Sequence, residues 1–184
     1  MGENKVDLRK LNILGGIGLL IFGLKILFSF FSLVGLILEA IVIYKYSKIL
    51  KNPKIWRFYL LYLIGLCING LILFSITKSP DIFAKINTNL IFGLISLVIV
   101  IMMLFYQIAY INLGLSIGHN YFTKILHYVI AATILTAVVI FSNPNNPYVI
   151  AAGVYLGQFG ISLMFAIGYF TAPKEIYLEE KKDE

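Results

Sequence analysis

Between Leu11 and Tyr44 the chain carries only two charged residues, Lys25 and Glu39. A single helix of that length would measure about 50 Å, against a hydrocarbon core of about 30 Å. The block must therefore fold back on itself. Two helices joined by a tight turn near Phe30-Phe31-Ser32 fit, with a re-entrant hairpin as the alternative. The same alternation continues along the chain. Charges gather at the N-terminus, in 45–57, in 78–85 and in the C-terminal tail, and long apolar runs separate them. The 184 residues are 60% hydrophobic and 13% charged. A soluble domain averages about 45–50% and about 25%. Both departures point to lipid as the solvent, and the length leaves little room for a soluble domain.

The expected fold is all-α: a polytopic membrane protein with six transmembrane helices in one bundle. The N-terminus is 1–10, the helices are about 11–30, 33–52, 56–77, 88–119, 122–141 and 148–171, and a charged tail, 172–184, is expected to fray. Residues 110–120 admit two readings. Ile111, Leu113, Leu115 and Ile117 alternate with a period of two, whereas Asn112, Ser116, His119 and Asn120 share one helical face. The helix is preferred because it continues the fourth span. The five prolines, Pro53, Pro80, Pro144, Pro147 and Pro173, all fall between or after the proposed spans, where helices tolerate them.

With the N-terminus in the cytoplasm, twelve of the fifteen Lys and Arg lie on the inner side, and Lys25, Lys78 and Lys85 on the outer. The positive-inside bias then predicts a multi-pass protein of the cell membrane with both termini cytoplasmic. Trp56, Tyr44, Tyr46, Tyr110, Tyr121 and Tyr169 read as an aromatic belt at the inner interface. Lys5, Arg9 and Lys10 precede the first apolar run as in a signal peptide. That run outlasts a signal h-region and ends in no A-x-A-like site, so it reads as a retained helix. Val6 stands where N-myristoylation would need Ser or Thr.

The net charge of +6 does not imply nucleic acid, because the basic residues flank apolar spans instead of forming one face. The expected partners are the lipid bilayer and a second copy of the chain or another membrane protein. Cys67 is the only cysteine, which excludes an intrachain disulfide. His119 and His127 have no companion ligands, so no metal is expected. Ser, Asp and His form no nucleophilic constellation, and Gly15-Gly16-Ile17-Gly18 opens no phosphate loop. No cofactor, no catalytic residue and no enzymatic activity are expected.

The polar residues inside the spans are the candidates for function. Lys25 and Glu39 each interrupt an apolar helix, and a charge at the bilayer centre costs about 2.5–3.5 kcal/mol on insertion scales. A turn at residue 32 places both seven residues from it, where they can pair across the hairpin. Such a pair serves as structural glue, or Lys25 snorkels outward; the sharper reading is a proton or ion relay. Asn69 and Gln158 fall near midplane and Gln107 near the inner end of the fourth helix, positioned for interhelical hydrogen bonds. Gly153 with Gly157, and Gly114 with Gly118, form GxxxG patterns that let helix backbones approach, within one chain or between copies.

The segments "LGGIGLL", "LVGLILEAIVIYKYSKILKNPKIWRFYLLYLIGL", "YINLGLSIGHNYFTKILHYVIAATIL" and "FAIGYF" together resemble a family of small prokaryotic membrane proteins catalogued as domain of unknown function 996. The resemblance covers about residues 11–171. It implies a multi-helix membrane fold and brings no activity, substrate or catalytic residue with it. The leading expectation is a non-enzymatic scaffold, assembly or accessory subunit. The alternative is a small ion or solute transporter or channel subunit that uses Lys25 and Glu39.

Overall fold

The computed structural model describes residues 4–24, 29–78, 88–142 and 147–178. They form β1 (Asn4–Asp7), α1 (Arg9–Gly23), α2 (Ser29–Ile49), α3 (Pro53–Lys78), α4 (Thr88–Ile117), α5 (Asn120–Thr123), α6 (Ile125–Ser142), α7 (Pro147–Thr171) and β2 (Glu175–Leu178). The chain is thus all-helical apart from one two-stranded sheet. α1 packs against α2 and α7, α3 against α4, and α6 against α7.

α1 ends at Gly23 and α2 begins at Ser29, so α2 runs straight through Phe30–Ser32, where the sequence places the turn. Length and apolarity require a turn but do not place it; a close approach of backbones sets the register. A Cβ at Gly18 would lie 3.3 Å from both the Glu39 nitrogen and the Gly35 carbonyl oxygen. A Cβ at Gly35 would lie 2.6 Å from the Gly18 carbonyl oxygen and 2.7 Å from Phe22 Cα. Glycine is required here because nothing larger fits between the helices. Glu39 consequently sits level with Gly18, whereas a turn at 32 would have set it against position 25.

Two turns at one end of the bundle close in the same way. After α2, Lys51 adopts φ 50° and the Asn52 N–H donates to the Ser47 carbonyl at 3.1 Å. After α4, Gly118 adopts φ 66° and the His119 N–H donates to the Gly114 carbonyl at 2.8 Å. Both are left-handed C-caps of the Schellman type. The Asn52 side chain then accepts the Lys54 N–H at 3.1 Å, capping α3 with Pro53 in its first turn. Its amide also donates to Ser116 Oγ at 2.9 Å, tying the first turn to α4. Gly118 therefore serves as a cap, and its partner in the GxxxG pattern, Gly114, packs under Phe122 and the backbone of Thr123 in the same chain. Left-handed backbone disfavours a Cβ by about 1–2 kcal/mol. Gly118→Ala is expected to lower stability by about 1 kcal/mol and Lys51→Gly to raise it by a few tenths or more. Opposite shifts of the thermal midpoint in detergent would check the pair; shifts of the same sign would contradict it.

The expected fifth helix does not start at 122. One turn, α5, is followed by a break at Lys124 before α6 begins at Ile125. Nor does the whole tail fray. β2 pairs antiparallel with β1, Val6 opposite Ile176 and Lys5 opposite Tyr177. Glu175 bonds Lys5 Nζ at 2.8 Å and Arg9 Nη2 at 3.2 Å. That hydrogen bond and the attraction of the carboxylate raise the Lys5 pKa. The pairing brings two segments of the apolar chain's polar ends together, which no local pattern signals. Lys25 and residues 79–87, 143–146 and 179–184 lie outside the described residues.

Aromatic rings cluster in the interior, and the exterior is mostly aliphatic. The largest fully buried side chains are Tyr46, Tyr59, Tyr110, Tyr169, Phe122 and Phe165, while Leu71 (65% exposed) and Leu115 (68%) face outward. Tyr46, Tyr110 and Tyr169, expected in an interfacial belt, are thus core residues. Among the described residues two stretches are long and apolar enough to cross a membrane, Pro53–Ile72 with 20 residues and Leu97–Ile117 with 21. Ile125–Leu135 and Leu156–Thr171 are shorter apolar helices.

Candidate functional site

The polar centre of the fold is Glu39, on α2 and 1% exposed. Four tyrosines reach it from two helices in pairs set by helical spacing. Tyr59 and Tyr62 lie three residues apart on α3, and Tyr106 and Tyr110 four apart on α4, so each pair shares a face. The hydroxyls of Tyr106 and Tyr110 both donate to Glu39 Oε1 at 2.6 Å. Such short bonds are characteristic of a carboxyl acceptor. From α7, the Tyr169 hydroxyl donates to that of Tyr110 at 3.3 Å. Tyr59 brings a further buried hydroxyl beside the carboxyl, outside hydrogen-bond geometry.

Ring packing holds these hydroxyls in place. Phe165 lies edge-on to Tyr106 at 4.8 Å and to Tyr110 at 4.5 Å, and Tyr62 is 4.7 Å from Tyr106. Phe122, delivered by α5, supports Tyr110 at 5.4 Å and Tyr169 at 5.3 Å. On the α1 side a Cβ at Gly15 would meet the Tyr169 ring at 2.8 Å, and Gly18 lets α1 close over Glu39. The glycines that open no phosphate loop are therefore packing residues.

Two cavities flank the cluster. One, about 280 Å³, is lined by Tyr62, Asn69, Met102, Tyr106, Gln158 and Ser162 among others. It reaches the surface at Gln158, which is exposed. Asn69 Oδ1 is buried there without a hydrogen-bond partner among the described residues. The other, about 220 Å³, lies at the end that carries β1 and β2, among Arg9, Asn12, Ala172 and Lys174. There the Asn12 amide donates to the carbonyls of Ala172 at 3.3 Å and Pro173 at 3.1 Å, and its oxygen accepts the Tyr46 hydroxyl.

The structure thus brings three of the sequence candidates into one region, with Glu39 at its centre and Asn69 and Gln158 on the adjoining cavity. Gln107 is buried on α4 but does not line that cavity. Lys25 lies outside the described residues, so the partners seen for Glu39 are tyrosines. Gly153 and Gly157 line a separate apolar groove of about 290 Å³ between α6 and α7. His119 Nε2 donates to the Gly168 carbonyl at 3.1 Å and lies 3.3 Å from Thr171 Oγ1. Partial burial lowers its pKa, against the opposing pull of that carbonyl. Among the described residues no group of three or more His, Cys, Asp and Glu is placed to hold a metal ion.

Sequence reasoning found the carboxyl and missed its cage. The available signal was the i, i+3 and i, i+4 spacing of tyrosines on two apolar helices. The fold and site define an all-helical protein with membrane-length apolar helices and a carboxyl held by tyrosines in its interior. No family model, no curated protein and no solved structure matches the chain, so this geometry carries the functional reading.

Proposed function

We propose that the protein is a multi-pass integral membrane protein and that Glu39 is the proton-binding site of a small transporter or channel subunit. The distribution of Lys and Arg supports six spans with both termini cytoplasmic, and the aliphatic exterior suits a lipid partner. The resemblance to the domain of unknown function 996 family fits that architecture. The observation that carries the functional reading is a single carboxyl buried to 1% exposure whose described partners are tyrosine hydroxyls. Intramembrane ionisable residues are expensive and mark ion or proton pathways. A hydroxyl can give a proton to its neighbour and take one from behind, so the cage supplies the carriers. No enzymatic role is part of the reading.

The test is proton flux in sealed proteoliposomes under an imposed potential, comparing wild type with Glu39→Gln. The amide keeps the shape and accepts the tyrosine hydrogen bonds but holds no exchangeable acidic proton. Flux is expected to fall about tenfold or more with the thermal midpoint little changed. Equal flux in both proteins would remove Glu39 from the mechanism.

The second reading is a scaffold, assembly or accessory subunit. The small-residue groove at Gly153 and Gly157 favours it, because close backbone approach is how membrane helices associate. Absence of any wild-type flux, with a partner or second copy retained in mild detergent, would turn the proposal in that direction.

A further inference from the structure

We propose that the two cavities are the mouths of one proton path that runs through Glu39, and that the step between Tyr46 and Tyr169 is its gate. The inference rests on Glu39 being the proton site and adds its route. The cavities lie at different levels of the bundle. Asn12 lies near the start of α1 and Phe22, which lines the other cavity, near its end; ten residues of helix separate them by about 15 Å.

A nearly continuous row of hydroxyls joins the two. From the end with the termini, Tyr46 is held by Asn12, which lines that cavity. The Tyr46 and Tyr169 rings are 6.2 Å apart with no hydrogen bond between their hydroxyls among those described. Beyond this step the row is bonded throughout: Tyr169 to Tyr110 at 3.3 Å, Tyr110 to Glu39 at 2.6 Å, and Tyr106 to Glu39 at 2.6 Å. Tyr106 itself lines the second cavity. The remaining titratable groups facing the carboxyl among the described residues are Tyr59 and Tyr62 on α3. Among the described residues α1 presents glycine backbone there.

The transfer balances without a co-reactant. A proton arriving at Tyr169 lets that hydroxyl pass its own to Tyr110, which passes its own to the Glu39 carboxylate. Each tyrosine gains one proton as it loses one, and only Glu39 alternates between carboxylate and acid. Release runs through Tyr106 by the same exchange, from the acid to water in the second cavity. Entry requires Tyr46 to leave the Asn12 oxygen, give its proton to Tyr169 and take another from water entering the first cavity beside Asn12. The bond to Asn12 therefore holds the gate shut, and Asn12 is in turn fixed by the carbonyls of Ala172 and Pro173, beside β2.

The experiment combines flux with accessibility. In a Cys67→Ser background, Ser162→Cys and Ala172→Cys report the two mouths to a membrane-impermeant thiol reagent applied to one face at a time. Each is expected to react from one face only, and from opposite faces. Tyr46→Phe, Tyr110→Phe and Tyr106→Phe keep the ring packing and are each expected to cut proton flux about tenfold or more, while Tyr121→Phe, off the row, leaves it unchanged. A cooperative thermal unfolding transition in each phenylalanine variant, with Ser162→Cys still labelled from one face only, reports that the bundle is folded. Should both cysteines react from the same face, the path is overturned. Should Glu39→Gln abolish flux while folded Tyr46→Phe and Tyr110→Phe conduct as wild type, the route is overturned and the proton site stands. A wild type without flux overturns both.

Discussion

Replacing Gly35 with alanine is expected to cost about 3 kcal/mol or more, at the upper end of what overpacking a well-filled interior does. The new methyl would lie 2.6 Å from the Gly18 carbonyl oxygen and 2.7 Å from Phe22 Cα, and would strike the Phe22 backbone nitrogen. These are backbone atoms of a helix, so no rotamer change relieves the contact and α1 must move away from α2. The comparison with Gly16 makes the point. The nearest atoms to a Cβ there belong to the ring of Phe170, a half-exposed side chain that can swing aside, so Gly16→Ala is expected to cost far less. Gly70, with nothing among the described residues outside its own helix within 4 Å of its Cβ position, serves as the control. Gly70→Ala is expected to be neutral or to stabilise by up to about 1 kcal/mol through helix propensity. Denaturant titration in detergent measures all three. Because Glu39 lies one turn from Gly35 on α2, Gly35→Ala also draws the carboxyl away from Tyr106 and Tyr110. A Gly35→Ala protein with a wild-type midpoint would mean that the two helices do not meet at this register.

The second large effect is expected at the hydroxyls. Tyr106→Phe combined with Tyr110→Phe removes both donors to Glu39 Oε1 and leaves a carboxyl buried in an aromatic core without them. Interhelical hydrogen bonds within a membrane average about 0.6 kcal/mol, with a maximum near 1.7. A buried acceptor stranded without a donor adds about 1–3 kcal/mol. The double variant is therefore expected to lose about 2–4 kcal/mol. Removing the carboxyl as well, by Glu39→Leu, is expected to return most of that loss, since replacing both sides of a buried polar interaction by apolar groups is often close to neutral. The triple variant would then be stable and unable to carry protons. That outcome would mean that stability and the proposed function make opposite demands on this site. A triple variant no more stable than the double would mean that the carboxyl has other partners that the loss of the hydroxyls does not touch.

Much of this was written in the local sequence. The charge-poor run from Leu11 to Tyr44 required a fold back, and the apolar periods required helices. The caps at Asn52-Pro53 and Gly118 also rest on local backbone chemistry, although the expected spans begin at 56 and end at 119 and Gly118 is expected there as a packing glycine. Glu39 stood out because a carboxylate in an apolar helix is costly wherever it sits.

What the sequence could not decide was which faces meet. Hydropathy scores a tyrosine as an interfacial residue whether its hydroxyl reaches water or a buried carboxyl, so Tyr110 and Tyr169 were read as a belt. Length and apolarity call for a turn without placing it, because the register depends on Gly18 and Gly35 touching across it. The pairing of Val6 with Ile176 joins opposite ends of the chain and has no local signature. The apolar pattern, a property of single helices, fixed the class of fold. The cage around Glu39 and its two cavities are properties of contacts between helices, and only the tertiary packing decided them.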